Sequence, residues 1–206
     1  MGGFPGATLW NHVLELAGGR RVLVDHAAYP EYGQMTDGLS GDFTHLSFYP
    51  WPPENLRDLA LSSDAILVCG GNTANMLAVW RVHGFDAILR EAWEAGVVLA
   101  GWSAGMICWF EAGVTDSFGP QLEGMRDGLG FLPGSACPHY DGEERRRPRY
   151  HELVARGLPA GVAADDGVAL HYVGSELREV VTCRPGTAAY RVTTDGEERL
   201  DPRVLG

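Results

Sequence analysis

The sequence has no lysine, and its 16 arginines are outnumbered by 27 aspartates and glutamates, which gives a formal net charge of -11. Nucleic acids and anionic membrane surfaces are polyanions, so this charge argues against either of them as a general partner. A local basic pocket is still compatible with the balance. We therefore expect a partner that is neither nucleic acid nor membrane.

Long apolar runs are also missing. No stretch approaches the roughly 20 apolar residues that a membrane-spanning helix needs. The N-terminal residues Met-Gly-Gly-Phe-Pro lack the basic and apolar regions of a signal peptide. We expect a cytoplasmic protein, and the length of 206 residues suits a single α/β domain over residues 1–206.

Cysteine is scarce and widely scattered. The four cysteines, at positions 69, 108, 137 and 183, show no Cys-x-x-Cys spacing of the kind that binds zinc. They lie in or beside apolar segments, which is typical of buried thiols. We expect a protein that uses no metal and no cofactor.

What the sequence does contain is an alternation of strands and helices in its first half. Short apolar runs predict strands at 21–25, 43–48, 65–69 and 97–100. Apolar residues at helical spacing predict helices at 7–18, 54–63, 74–81 and 85–95. This alternation indicates an α/β fold with a mainly parallel sheet, in which ligands bind at the carboxyl ends of the strands.

The second half is less regular. Residues 111–120 are loop-like, and we expect residues 111–128 to form a mobile flap over the site. Further strands are predicted at 129–137, 168–173, 177–183 and 188–193, with a helix at 150–156.

Residues 101–105 read Gly-Trp-Ser-Ala-Gly and stand between an apolar strand and a segment that can continue as a buried helix up to residue 110. Gly-x-Ser-x-Gly in this context is typical of a nucleophile elbow, where glycines let the backbone turn sharply and present the serine hydroxyl. Ser103 is therefore the candidate nucleophile. The alternative is a serine that caps an ordinary helix.

A second glycine-rich turn, Gly-Gly-Asn-Thr at 70–73, follows the strand at 65–69 and opens a helix. Glycines at this position let backbone N–H groups approach a ligand. We expect the N–H groups of Gly71 and Ala104 to form the oxyanion hole that acyl transfer requires. The alternative is a plain turn in which Asn72 or Thr73 caps the helix.

A serine nucleophile needs a base and an acid that orients the base. Among seven histidines His139 is best placed, because it follows a predicted strand end and a proline. The candidate acids all lie close to predicted strand ends or in the predicted flap: Asp116, Asp165, Asp166, Asp141 and Glu111. Asp116 would give the chain order Ser-Asp-His, Asp165 and Asp166 are the alternatives, and the last two are weaker.

Four motifs in this order resemble the aspartyl dipeptidase (peptidase E) family of serine peptidases, which also includes cyanophycinases. They are Gly-Gly-Asn-Thr at 70–73, the elbow at 101–105, Pro-His-Tyr at 138–140 and Gly-Glu-Glu-Arg at 142–145. The resemblance covers roughly residues 55–175. It implies a three-layer, flavodoxin-like sandwich related to class I glutamine amidotransferases, with serine in place of their cysteine.

The resemblance also implies roles for individual residues. Ser103 matches the family nucleophile and His139 the family histidine, while Asp116 matches the acid in a slightly shorter segment. Gly71 and Asn72 match the glycine-rich loop, with Asn72 near the substrate. Arg145 stands where the family holds the carboxylate of an N-terminal aspartate, which suits a planar guanidinium. The alternative is that the arginines at 145–149 form a solvated helix entrance.

Two departures from the family pattern are visible. Cys137 replaces the asparagine expected before Pro-His, which affects the expected pocket selectivity. The chain starts at a helix where the family has a first strand, which leaves the order of the sheet open.

We therefore expect a serine peptidase that hydrolyses Asp-Xaa dipeptides through an acyl-enzyme. One alternative is a peptidase of the same family with carboxypeptidase-like or β-aspartyl isopeptide specificity. Another is a non-catalytic, amidotransferase-like binding module that keeps the elbow as a structural turn; a glutaminase would need cysteine at the elbow. An isologous homodimer is the default expectation for the oligomeric state.

Overall fold

The computed structural model describes residues 6–29 and 36–206, which form two compact units. The first unit comprises residues 10–105, and the second comprises residues 106–206 together with 6–9. The helices are α1 Ala7–Ala17, α2 Leu56–Ser62, α3 Thr73–His83, α4 Phe85–Glu94, α5 Ala104–Ile107 and α6 Arg146–Ala155. The strands are β1 Arg21–Asp25, β2 Asp42–Leu46, β3 Ala65–Val68, β4 Val98–Gly101, β5 Phe110–Thr115, β6 Glu123–Met125, β7 Leu132–Cys137, β8 Gly161–Ala164, β9 Val168–Val173, β10 Glu176–Thr182, β11 Ala189–Thr193, β12 Gly196–Leu200 and β13 Arg203–Val204.

The first unit contains a four-stranded parallel sheet in the order β2-β1-β3-β4. This is the strand order of flavodoxin-like folds, so the predicted α/β class with a parallel sheet is confirmed. The order reverses between β1 and β3, and ligands of such sheets bind at the carboxyl ends of the strands beside that point. A ligand site in this unit is therefore expected at the loops that follow β1 and β3.

Continuous burial explains why β1 and β3 were easy to predict from the sequence. All four residues of β3 are buried, as are the last four of β1. Leu23 and Ile66 are fully inaccessible, and Trp80 and Phe85 meet edge to face with ring centroids 5.8 Å apart. Each such side chain contributes about 1.5 to 3 kcal/mol when it is fully buried, so this apolar core stabilises the sheet.

The second unit contains a mixed six-stranded sheet in the order β12-β11-β8-β7-β5-β6 and a three-stranded sheet in the order β13-β10-β9. Strands β5, β7 and β8 run parallel to one another. Strand β7 therefore has a parallel neighbour on each side. The residues that follow β5, β7 and β8 leave the sheet at the same edge.

The segment predicted as a flap contains two strands, joined by residues 116–122. Residues 110–115 form β5 and residues 123–125 form β6, and these strands pair with each other. Small residues concealed the strand in the sequence: Ala112 and Val114 are buried, and a Cβ on Gly113 would lie 2.5 Å from the Ile107 side chain. The predicted helix also ends at Ile107 rather than continuing to residue 110.

Helix α6 begins earlier than the sequence indicated. We expected it at 150–156, yet it starts at Arg146 and holds Pro148 in its first turn. Proline is tolerated there because the first N–H groups of a helix have no acceptor within the helix. The arginine-rich stretch is therefore part of the helix from its second residue onward.

Among the described residues, no helix has both the length and the apolar character required to cross a membrane. The four cysteines are free thiols; Cys69, Cys108 and Cys137 are buried and Cys183 is partly exposed.

Two titratable residues at the end of β1 lie inside the first unit. Asp25 is fully inaccessible, and burial raises its pKa from 3.8 to about 7. Burial, followed by the neighbouring His45, lowers the pKa of His26 to about 4. The Nε2 atom of His26 lies 2.8 Å from Nδ1 of His45, and its Nδ1 atom lies 3.7 Å from Sγ of Cys69.

The burial of Asp25 predicts a stability that falls as pH rises. Between about pH 4 and pH 7 the folded chain keeps Asp25 protonated while the unfolded chain ionises it, so the free energy of unfolding decreases across this window and stays low above it. Asp25→Asn should remove this decrease. Urea unfolding of both proteins should show the variant gaining about 2 kcal/mol on the wild type between pH 5 and pH 8.

His26 acts in the opposite direction below pH 6.5, because its folded form resists protonation, but it contributes equally to both proteins. Asp201→Asn, at a side chain that is 83% exposed, serves as the control and should follow the wild type. A difference between Asp25→Asn and wild type that is the same at pH 5 and pH 8 would contradict the prediction.

Candidate active site

Ser103 stands in the turn between β4 and α5, with β4 ending at Gly101 and α5 beginning at Ala104. Its φ is 55°, in the left-handed region where side chains other than hydrogen are disfavoured. Strain of this kind costs about 1 to 3 kcal/mol and persists only where the surrounding structure imposes it. The sharp strand–turn–helix context that a nucleophile elbow needs is therefore present.

The two glycines of the elbow allow the backbone to pack against β3. A Cβ on Gly105 would lie 2.2 Å from the carbonyl oxygen of Val68, and a Cβ on Gly101 would lie 2.7 Å from the same oxygen. Any side chain at either position would collide with β3. The spacing Gly-x-Ser-x-Gly therefore has a direct structural cause in this unit.

The surroundings of Gly71 and Ala104, the expected oxyanion donors, are compatible with that role. Gly71 has φ 139°, and a Cβ there would lie 2.2 Å from the carbonyl oxygen of Ala28. A Cβ on the preceding Gly70 would lie 3.2 Å from Cβ of Ser103, so this loop runs beside the elbow. The described residues supply no hydrogen-bond acceptor for the N–H of Gly71 or of Ala104. Their role as oxyanion donors stays a prediction.

Asn72 has a structural task. Its Oδ1 atom accepts a hydrogen bond from the N–H of Asn75 at 2.9 Å and so caps α3, while its own N–H donates to the carbonyl of Ala28 at 2.9 Å. Asn72 is therefore the N-cap of α3, as in the alternative that the sequence left open. Contact between Asn72 and a substrate stays a prediction.

His139 follows β7 and Pro138 in the second unit, and its φ is 56°. In residues 6–29 and 36–206, it shares a positive φ with one other residue that is not glycine, Ser103. The left-handed backbone thus falls on the two residues that the sequence motifs selected for chemistry. Nothing in the hydrophobic pattern of the sequence predicted this conformation.

The imidazole of His139 is paired with Asp166, with Nδ1 2.7 Å from Oδ1. An ionised carboxylate can only accept, so Nδ1 donates the proton of this hydrogen bond, and in the neutral form of this imidazole the lone pair is on Nε2. That is the tautomer that a general base needs. The histidine side chain is 11% exposed and the aspartate side chain 31%, so the pair is partly shielded from water.

The neighbouring Asp165 has a different task. Its Oδ2 atom accepts a hydrogen bond from the N–H of Ala188 at 2.9 Å, which fastens the segment before β11. Burial raises the pKa of Asp165. Of the two alternative acids, Asp166 therefore faces the histidine and Asp165 faces the backbone.

Asp116, the first choice for the acid, is not paired with His139 in the structure. Its carbonyl accepts from the N–H of Gly119 in the turn after β5, and its carboxylate makes no hydrogen bond to a histidine of the described chain. The physical reason is the position of β7 between two parallel strands. The carboxylate that pairs with His139 follows β8, on one side of β7, whereas Asp116 follows β5 on the other side.

Asp166 packs against Gly142, which belongs to the Gly-Glu-Glu-Arg motif. A Cβ on Gly142 would lie 2.3 Å from Oδ2 of Asp166. Glycine at this position leaves room for the carboxylate. Its place in the Gly-Glu-Glu-Arg motif was the signal available in the sequence.

Arg145 is exposed and immediately precedes α6, and its guanidinium makes no hydrogen bond or ion pair within the described residues. The other arginines of the stretch are engaged. Arg146 is buried and donates to Oε2 of Glu143 at 2.7 Å and to the carbonyl of Val114 at 3.1 Å. Arg147 pairs with Glu197, and Arg149 donates to Glu152 at 2.6 Å.

Cys137 precedes Pro138 and is fully buried, and burial raises the pKa of its thiol to about 12. The thiol therefore stays protonated at neutral pH. A nucleophilic role for Cys137 has no support in this environment.

Comparisons with known proteins agree with these observations. The model of peptidase family S51 matches residues 23–180. YgaJ of Bacillus subtilis, named an uncharacterized peptidase, is 54% identical over 150 residues, which are 72% of this chain and 64% of that protein. Peptidase E of Shewanella denitrificans is 31% identical over 169 residues, which are 77% of this chain and 70% of that protein. The chain thus spans less than two thirds of the Bacillus protein.

Two solved structures resemble this chain. A peptidase from an acI-B1 Actinobacterium has a TM-score of 0.66, covering 95% of this chain and 89% of that one. A candidate peptidase E of Listeria monocytogenes EGD-e has a TM-score of 0.54, covering 98% and 96%. Both are 16% identical to this chain, so the likeness shows the fold alone.

The strained backbone at Ser103 predicts that glycine at this position gives a more stable protein than alanine. Ser103→Gly should unfold with a free energy about 1 kcal/mol higher than Ser103→Ala, because glycine adopts a positive φ without penalty whereas alanine does not. Urea unfolding of the two variants measures the difference. Both variants lack the hydroxyl, so the comparison isolates the backbone.

Ser62, the last residue of α2, provides the matched control. There the order should be reversed, with glycine less stable than alanine, because glycine is unfavourable in a helix. Equal stability of Ser103→Gly and Ser103→Ala would show that the backbone at Ser103 is not strained.

Proposed function

Because the chain belongs to peptidase family S51, we propose that it is a serine peptidase in which Ser103 is the nucleophile and His139 the general base. One observation carries the proposal: the two non-glycine residues with positive φ in the described chain are these two. Strained backbone concentrates at sites of chemistry, where it fixes side chains in place. The motifs and the backbone select the same pair independently.

In the proposed mechanism Oγ of Ser103 attacks the scissile carbonyl and Nε2 of His139 takes its proton. Asp166 accepts from Nδ1 of His139 and stabilises the imidazolium that forms, in the place we had expected for Asp116. The N–H groups of Gly71 and Ala104 stabilise the oxyanion. The imidazolium then protonates the leaving amine, and water hydrolyses the acyl-enzyme by the same route.

The proposed substrates are dipeptides with an N-terminal aspartate. Arg145 supports this choice, since its exposed guanidinium has no anionic partner among the described residues while Arg146, Arg147 and Arg149 are all engaged. A free guanidinium can bind a carboxylate through two parallel hydrogen bonds. The name Peptidase E of the Shewanella relative agrees with this specificity.

Two other readings lead to different experimental outcomes. A family member with carboxypeptidase-like or β-aspartyl isopeptide specificity would cleave other peptides with the same serine. A non-catalytic binding module would cleave none, but the strained Ser103 and the His139–Asp166 pair favour an enzyme. The cytoplasmic location, the homodimer and the absence of nucleic-acid and membrane partners stay predictions.

The proposal is tested by release of free aspartate from Asp-Leu, with Ala-Leu and Leu-Asp as comparison substrates. Wild type should cleave Asp-Leu, and Ser103→Ala should not. Asp166→Asn should lower kcat by about 10⁴-fold, because the acid no longer fixes the tautomer of the histidine. Asp116→Asn, the matched control, should stay within a few-fold of wild type.

Several outcomes would count against the proposal. If the protein cleaves another peptide instead of Asp-Leu and this cleavage depends on Ser103, Asp-Xaa specificity is rejected but the serine peptidase mechanism is kept. Failure to cleave any peptide, together with failure of a fluorophosphonate to label Ser103, would favour the binding module. Equal losses in Asp166→Asn and Asp116→Asn would remove Asp166 from the triad.

The role of Arg145 predicts a loss that depends on the substrate. Arg145→Gln should lower kcat/KM for Asp-Leu by about 10- to 100-fold, which corresponds to the loss of a hydrogen bond to a charged group. Its effect on neutral peptides should be small. Arg156→Gln, which removes an exposed arginine paired with Glu152 in the same helix region, should change neither value. Equal losses on both kinds of substrate would reject the assignment.

A further inference from the structure

The peptide backbone of Asp166 is bound on both sides by charged side chains. Its N–H donates to Oδ1 of Asp141 at 2.7 Å, and its carbonyl oxygen accepts from Nη1 of Arg184 at 2.9 Å. Nη2 of Arg184 lies 3.8 Å from Oδ2 of Asp141, so the two side chains also face each other. We call these two residues the backbone clamp.

The clamp connects the loop of the histidine with the loop of its acid. Asp141 comes two residues after His139, so the segment that supplies the base also binds the backbone of the acid. The N–H of Tyr140 adds a third link, since it donates to the carbonyl of Ala164 at 3.0 Å. Movement of one loop is therefore resisted by the other.

Arg184 is itself held in place. It lies between β10 and β11, and its N–H donates to Oγ1 of Thr182 at 3.0 Å. Its side-chain stem runs over Gly167, where a Cβ would lie 2.7 Å from Cδ of the arginine. Gly167 has φ 84°, so this position suits glycine for its backbone as well as for the space it leaves.

The clamp can act either on the stability of the fold or on the position of Asp166, and the expected size of each effect distinguishes the two. The Arg184 and Asp141 side chains are 55% and 33% exposed, and an ion pair this accessible to water contributes little to the stability of the fold. The position of a catalytic group is worth more, because a displacement of about 1 Å can cost about 100-fold in rate. The acid, itself 31% exposed, depends on its backbone for its placement.

We propose that Asp141 and Arg184 are positioning residues that hold Asp166 against His139. This inference rests on the proposed function, in which Asp166 is the acid of the triad. It also gives Asp141 a role other than that of the acid, since its two carboxylate oxygens face the N–H of Asp166 and the guanidinium of Arg184.

Kinetics of four variants test the clamp. Asp141→Ala and Arg184→Met should each lower kcat on the cleaved peptide by about 10- to 100-fold. The KM should stay nearly unchanged, because the proposed role gives neither residue a contact with the substrate. Asp141→Asn should recover most of the loss, since its side-chain oxygen still accepts from the N–H of Asp166. Arg184→Lys should recover little, because an ammonium lacks the planar fork.

Arg191→Met is the matched control. Arg191 is 53% exposed and paired with Glu198, much like Arg184, but it makes no contact with the loop of the acid. It should keep the kcat of wild type. Equal losses in Arg184→Met and Arg191→Met would show a general effect of removing a surface charge and overturn the role of Arg184.

A double-mutant cycle decides whether the clamp acts through Asp166. Asp141→Ala should cost nothing further when it is added to Asp166→Ala, because the group it positions is already gone. A loss in that background as large as in wild type would overturn the proposal. Arg184→Met keeps the same cycle available if Asp141→Ala does not fold.

A spectroscopic measurement separates the clamp from the proposed activity. The Nδ1 proton of His139, hydrogen-bonded to a carboxylate, should give a downfield proton resonance that disappears in His139→Gln and in Asp166→Ala. Asp141→Ala should broaden or remove it, and Arg191→Met should leave it unchanged. If wild type cleaves no peptide, the proposed function fails, while an unchanged resonance in Asp141→Ala overturns the clamp.

Discussion

The close approach of Gly105 to the carbonyl oxygen of Val68 is the constraint on which the elbow depends. Because α5 starts so near β3, the chain leaving β4 has to reverse direction within two residues. Ser103 accommodates this turn by taking left-handed backbone. The position of the Ser103 hydroxyl thus follows from the packing of the neighbouring backbone.

The same principle of placement operates in both units. In the first, parallel strands deliver the loop of Gly71 and the elbow to the carboxyl edge of one sheet. In the second, β7 and β8 are parallel neighbours, and their ends deliver His139 and Asp166. Parallel pairing brings residues that are distant in sequence to a common edge, which explains why Gly71, Ser103, His139 and Asp166 all lie just after strands.

Much of this could be predicted from the sequence. Fully buried strands such as β3 gave continuous apolar runs, and the glycine spacing around Ser103 reflects real steric limits. His139 was selected from its place after a predicted strand end and a proline, and the structure places it there, beside Asp166. Residue types and spacing were sufficient here because each feature is local.

The rest depended on tertiary structure. The choice between Asp116 and Asp166 required knowing which parallel neighbour of β7 supplies the carboxylate that pairs with His139, and both neighbours are followed by a turn that contains aspartate. The sequence pattern did not indicate β5, because this strand contains alanine and glycine in place of larger apolar residues. At Gly113 a larger side chain would collide with its neighbours. The start of α6 was missed because Pro148 suits a first turn as well as a helix boundary.

The central position of β7 has an evolutionary consequence. A histidine that follows a strand flanked on both sides by parallel strands can receive its acid from either neighbour. A lineage could lose the carboxylate after β8 and acquire one after β5 without relocating the histidine or rebuilding the sheet.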